Sequence, residues 1–210
     1  MNQAQAIKTE KHGEASTKQE ALKQLMEKPV ITARDARKAG ISNALLDYHC
    51  KTGLLTKVGR GLYVNAKHSP TVDFEWEDLV YTTLSISNGV ITGISALAIY
   101  GLTEEVARFH WIAVPNATSK GERPNLKLVR VRNIELGRTT IKIGDIEVPI
   151  FDVERTLVEA FRLTSVETAI KALKAAFAPG SKHKPDPKKM LEYARRLHVK
   201  IDSYLMMVTT

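Results

Sequence analysis

Asn43, Ala44, Asp47, Tyr48 and Lys51 follow one another at the spacing i, i+1, i+4, i+5, i+8. A helix through them would carry all five on one face. Their types suit the edges of base pairs: an Asn amide can bond adenine in a bidentate way, and an Ala methyl or a Tyr ring can rest against a thymine methyl. Lys51 and Lys57 suit phosphates, and Arg60, held between Gly59 and Gly61, is placed to reach a minor groove or a backbone phosphate. Arg34, Arg37 and Lys38 lie on or near a preceding helix, the one that crosses the backbone in such motifs. Together these residues describe a surface for reading duplex DNA. The competing reading is the same scaffold used only for protein contacts.

The surrounding sequence supplies the elements this surface needs. Thr32 can cap a short helix, TARDARKA, with Asp35 three residues on as a partial capping box. Gly40 ends that helix and Ile41 plugs the turn. Ser42 caps a second helix, SNALLDYHCKT, which Gly53 stops; Leu45, Leu46 and Cys50 form its inward set, with Ile41 beneath. Thr32 and Ser42, at the two helix starts, complete the DNA-facing set. LLTKV-GRG-LYV then alternates and turns on Gly59 and Gly61, as a two-stranded ribbon does. Residues 29–64 therefore predict a helix-turn-helix followed by a wing. A supporting helix over 16–27 turns Leu22, Leu25 and Met26 inward, and Pro29 ends it.

Charge is distributed to match. Of 31 Lys/Arg and 23 Asp/Glu, residues 1–70 carry 12 and 6, a net of +6, and the other 140 positions net only +2. The basic excess sits where a phosphate footprint would need it. With 210 residues and 43% hydrophobic content the chain can hold one or two domains with a real core. Cys50 is the lone cysteine, which excludes an internal disulfide and a cysteine-rich metal site; its place on the apolar side of a helix marks it as a buried small residue. The N-terminus has no apolar core and reads as no signal peptide, and no apolar run reaches the roughly 18–20 residues of a membrane span. The expected location is the cytoplasm.

Residues 1–15 read as a flexible tail, 16–68 as the winged helix-turn-helix domain, and 72–210 as an α+β domain, with AKHSPTVD (66–73) as the link. In the second domain FEWEDLVYTTLSIS reads as a helix with Phe74, Leu79, Val80, Thr83 and Leu84 on one face. GVITGISALAIYGL reads as a tightly packed helix closed by Gly101. Strands are expected at 110–115, 126–132, 138–143 and 146–151, the last two joined through Gly144-Asp145 as a hairpin. Asp152 can cap VERTLVEAFRL; helices follow at 165–177 and 187–199, and DSYLMMVTT is either a short helix or a strand. The expected fold class is thus α+β: an N-terminal winged helix-turn-helix, then a mixed α+β domain with a small antiparallel sheet and C-terminal helices.

Other chemistry is poorly supported. Asp145 and Glu147, with Lys142 nearby, hold part of a metal-dependent nuclease pattern, but the upstream acid is missing and Gly144-Asp145 is better read as a turn. Six histidines (12, 49, 68, 110, 183 and 198) are scattered without metal-ligand spacing. Ser95 lacks the glycine after it that a nucleophile elbow needs, and no phosphate-binding glycine loop is present. No enzyme activity, metal or cofactor is expected. The loop GSKHKPDPKK reads either as solvated or, through Lys182, Lys184, Lys188 and Lys189 with Arg195 and Arg196 on the next helix, as a second basic patch for phosphates.

The order TARDARKAGIS, TGLL-KVGRGLYV, ITGISALAIYGLTEE, IAVP and IEVPIFDVERTLVEAFR, over about residues 18–200, resembles the AbiEi-like antitoxins and transcriptional regulators of abortive-infection systems. The resemblance implies a winged helix on inverted repeats of the operon's own promoter and a C-terminal antitoxin domain. It also implies a nucleotidyltransferase-like toxin that need not form a complex with its antitoxin. It marks Gly53, Arg60, Gly61 and Tyr63 as a wing signature, and Ser95, Ala96, Leu97, Arg155 and Thr156 as a second-domain signature. Arg155 reads more readily as structural, paired with a nearby carboxylate such as Glu159, than as a contact for antitoxin action. The expected partners are double-stranded DNA, with dimerisation on the repeat, and a toxin; no membrane is expected. The alternative is a module that sequesters a toxin directly.

Overall fold

Leu22, Leu25 and Met26 do turn inward on α1 (residues 20–26) in a computed structural model of the chain, which describes residues 20–68, 70–118 and 125–209. The expected tail, 1–15, and the start of the first helix lie outside the described residues. Contacts divide the chain into two units: the first runs through Ser85 and includes Lys142–Ile146, and the second comprises Ile86–Ile141 and Glu147–Thr210.

In the first unit α1 is followed by β1 (Val30–Thr32), α2 (Ala33–Lys38), α3 (Asn43–Lys51), β2 (Leu55–Gly59) and β3 (Leu62–Asn65). The strands form an antiparallel sheet in the order β1-β3-β2. Only the β2–β3 hairpin was expected. The third strand arises because Val30 and Ile31, two β-branched residues ahead of the Thr32 cap, pair with Val64 and Tyr63. Ile31, Leu46, Leu55 and Tyr63 meet in one small core with Leu25, Ala36 and Ile41. Buried Asn65 ties this sheet to α1: its amide donates to the Met26 carbonyl, and its N–H donates to Pro29 O at 3.1 Å.

Helix α4 (Phe74–Ser85) also groups with this unit. It buries Leu79, Val80 and Thr83, but Phe74 is 93% exposed, against the expectation that it shares their face. The phase explains this: Phe74 is five residues before Leu79, about 140° around the helix, so it leaves the apolar stripe.

The second unit holds β4 (Val90–Ile91), α5 (Gly93–Ile99), β5 (His110–Pro115), β6 (Leu126–Val131), most of β7 (Arg138–Ile143) and of β8 (Ile146–Phe151), and helices α6 (Val153–Leu163), α7 (Val166–Phe177), α8 (Pro187–Leu197) and α9 (Asp202–Thr209). The strand order is β6-β5-β4-β8-β7. This sheet is mixed, not antiparallel as expected: β4–β5 is antiparallel, whereas β5–β6 and β4–β8 are parallel. Ten residues separate β5 from β6, more than the two-residue hairpin link that requires antiparallel neighbours. The apolar run at 89–102 also divides: Val90 and Ile91 become strand, and the helix begins only at Gly93. The C-terminal segment resolves as helix.

On α6 every residue from Arg155 through Ala160 is buried. Asp152 Oδ1 caps it, accepting from the Arg155 N–H at 2.8 Å. At the β7–β8 turn, Asp145 N–H donates to Thr71 O at 3.0 Å and Thr71 N–H donates to Asp145 Oδ2 at 3.3 Å, so this carboxylate is a turn ligand. No helix among the described residues is long and apolar enough to cross a membrane.

Candidate nucleic-acid interface

Ser42 starts α3 by accepting the Leu45 N–H at 3.3 Å. Leu46 is fully buried, and Leu45 and Cys50 pack partly against the same core. That anchoring leaves Asn43, Ala44, Asp47, Tyr48 and Lys51 exposed, with Tyr48 at 58%. The five residues of the expected face therefore share one side of α3.

Thr32 caps α2, accepting the Asp35 N–H at 3.0 Å while its hydroxyl donates to Asp35 Oδ2 at 2.8 Å. The expected capping box is closed through the hydroxyl, because an Asp is too short to reach back to the cap N–H as a Glu would. Thr32 and Ser42 are thus both held by their helices. Arg37 and Lys38 are exposed at the end of α2, and Arg34 is half-buried in its first turn. The turn to α3 runs through Gly40 (φ 73°) and buried Ile41, whose N–H donates to Ala36 O at 2.8 Å.

The β2–β3 hairpin follows directly. Lys57 and Arg60 are exposed, while Tyr63 of the same hairpin lies in the core. A register shift between Lys57 and Gly59 marks a bulge at Val58, which increases local twist. The hairpin tip is tied down, since Ala33 N–H donates to Gly61 O at 2.7 Å, which holds Arg60 near the start of α2. Burial and the nearby Asp47 carboxylate push the Cys50 thiol up.

Residues 20–66 match the family described as transcriptional regulator, AbiEi antitoxin. This segment is AbiEi-like. The AbiEi-like stretch runs from α1 through β3 and contains the whole exposed α3 set, the hairpin included. That family is described as one of antitoxins that regulate transcription, and its likeness to this chain covers the N-terminal segment. No curated protein matches the chain.

Outside the AbiEi-like segment the expected second patch is only partly assembled. Lys182, Lys184 and Lys188 are exposed, as are Arg195 and Arg196, the latter paired with Glu192 at 3.3 Å. Lys189 does not belong with them. Its ammonium lies 3.0 Å from Asp152 and 3.1 Å from Glu154, the carboxylates that open α6. Burial works against its charge, but those two partners outweigh it and hold the ammonium above its ordinary value.

The second-domain signature residues are structural. Ser95 Oγ accepts the Trp111 N–H at 3.0 Å, Ala96 and Leu97 are fully buried, and the Thr156 hydroxyl donates to Phe151 O at 3.1 Å. Arg155 pairs with Glu159 at 3.3 Å, both side chains fully buried. Burial pulls the Arg155 guanidinium below its ordinary value and Glu159 opposes the pull. Sequence reasoning missed that Arg162 shares Glu159, at 2.8 Å; its i+3 spacing from that residue was the available signal. Among the described residues no group of three His, Cys, Asp or Glu side chains is placed to hold a metal.

Proposed function

We propose that this chain is an antitoxin and autorepressor. Its N-terminal unit acts as a winged helix on inverted repeats in its own promoter, and the protein counteracts a nucleotidyltransferase-like toxin. The observation that carries the reading is the exposed α3 face beside a basic hairpin, all within the AbiEi-like segment. In this reading Asn43, Ala44, Asp47 and Tyr48 meet base edges in the major groove. Lys51, Lys57, Arg60, Arg34, Arg37 and Lys38 neutralise phosphates and set register, while Thr32 and Ser42 hold the helix starts against the backbone. One such unit reads a short site, so affinity comes from two molecules meeting on the repeat. Lys182, Lys184, Lys188, Arg195 and Arg196 would add sequence-independent phosphate contacts.

A gel-shift titration tests this, with the intergenic DNA upstream of the protein's own gene, excess unrelated duplex and two salt concentrations. A discrete shift that survives competitor is expected. Lys51→Ala and Arg60→Ala should each weaken binding at every sequence and lower the salt slope by about 1. Asn43→Ala should cost about 1–3 kcal/mol on the cognate repeat and relax base preference. A shift abolished by competitor, or equal losses on specific and unrelated DNA for Asn43→Ala, would sink the base-reading role.

The second reading, direct capture of the toxin by the second unit, draws on two exposed apolar side chains there: Val106, 91% exposed, and Phe109, 48%. A complex with the toxin that persists at high salt would favour it.

A further inference from the structure

Glu159 serves two guanidiniums with one negative charge. Its Oε1 accepts from Arg155 Nη2 at 3.3 Å and from Arg162 Nη2 at 2.8 Å, and its Oε2 accepts the Thr92 hydroxyl at 3.2 Å. Arg155 is wholly buried, whereas the Arg162 side chain is 42% exposed. The surplus positive charge of this cluster therefore reaches the surface at Arg162.

A cleft of about 280 Å³ opens there, lined by Phe161, Arg162, Val166, His198, Lys200 and Tyr204, with Val199 completing it. No carboxylate lines it. The Phe161 and Tyr204 rings stack at 4.8 Å and 29° to form an aromatic pair. Among the described residues neither His198 nor Lys200 makes an ion pair. His198 is also held in an unusual way. It ends α8 with φ 55°, and Val199 N–H reaches back to Ala194 O at 2.9 Å. Helices α2, α3 and α5 use Gly40, Gly53 and Gly101, at φ 73°, 75° and 64°, in the equivalent left-handed position. Glycine is the unstrained choice there, so α8 keeps an imidazole at the cleft where the other helix ends have no side chain.

We propose that this cleft binds a small phosphorylated anion of up to mononucleotide size. A guanidinium and an ammonium supply charge for a phosphate, an imidazole adds a ring nitrogen as donor, and the guanidinium's planar fork matches the phosphate oxygens. The aromatic pair offers a surface for a planar organic part. The volume falls just below the range for ligand sites, roughly 300–1,000 Å³, which disfavours anything as large as a dinucleotide.

Thermal unfolding of the full chain tests this with AMP and with inorganic phosphate as probes, each against chloride at matched ionic strength. AMP near 100 times its Kd is expected to raise the Tm by about 5 °C, and phosphate by less. Lys200→Ala should weaken AMP about tenfold. His198→Gly separates a ligand role from a structural one: it should raise the Tm of the anion-free protein by a few degrees while weakening AMP. No shift beyond the chloride control would overturn the proposal, as would an AMP response left intact in both Lys200→Ala and His198→Gly.

Discussion

Arg155→Met is expected to destabilise the second unit by about 3–5 kcal/mol, the usual cost of removing one member of a buried ion pair. The guanidinium does more than pair with Glu159. Its Nη1 donates to Asn133 O at 2.7 Å and to Leu136 O, and its Cζ lies 3.5 Å from the centroid of the Phe151 ring. A methionine fills much of the same space but donates nothing, so two carbonyls and one carboxylate oxygen lose a partner. Thermal unfolding should show the Tm down by roughly 10–20 °C. Arg155→Lys should rescue little, because a single ammonium cannot serve carbonyls and carboxylate at once in the geometry of a planar fork. Removing both charges with Arg155→Met and Glu159→Leu should recover part of the loss, since no unpaired charge is left buried, and Arg162, half-exposed, can turn to water. A single-variant loss below about 1 kcal/mol would mean that this network is not what holds α6.

Gly93→Ala is the second large expectation, about 2–4 kcal/mol, from left-handed strain together with overpacking. Gly93 has φ 53°, and a Cβ placed on it would lie 2.4 Å from Trp111 Cε3 and 2.9 Å from Cδ2. Trp111 has little room to yield. It is 8% exposed, its backbone bonds both Thr92 and Ser95, and Lys127 Nζ sits 3.4 Å from its ring centroid. Gly53→Ala provides the comparison: φ is 75°, but no atom lies within 4 Å of the added Cβ. It should cost only about 1 kcal/mol in urea unfolding. Equal costs at the two sites would show that backbone strain alone matters and that the joint between β4 and α5 tolerates a methyl group.

The features read correctly from the chain share one property: each is decided within a few residues. Thr32, Ser42 and Asp152 cap helices because a short oxygen-bearing side chain stands three residues before an open N–H. Gly40 and Gly53 end them because the next turn needs positive φ. The exposed set on α3 follows from 3.6-residue periodicity once Leu46 is known to face inward. Arg155 and Glu159 meet because they are four residues apart on one helix.

Where the reading went astray, the deciding partner lay far along the chain. Val30 and Ile31 became a strand only because residues 63 and 64 were there to pair with. The parallel pairing of β5 with β6, and of β4 with β8, carries no local mark, since strand alternation is the same in either direction. Lys189 looked like one more basic residue in a solvated loop; it is captured because α8 packs along α6 and brings it to Asp152 and Glu154, more than thirty positions earlier. The cleft at His198 likewise joins α6 and α7 to residues after α8. Helix caps, glycine turns and one amphipathic face were thus settled by neighbours in sequence, where the chain's own covalent geometry limits the choices. Strand direction, the pairing of buried charge and the shape of a cleft depend on which distant segments meet, and that is set by the packing of the whole core.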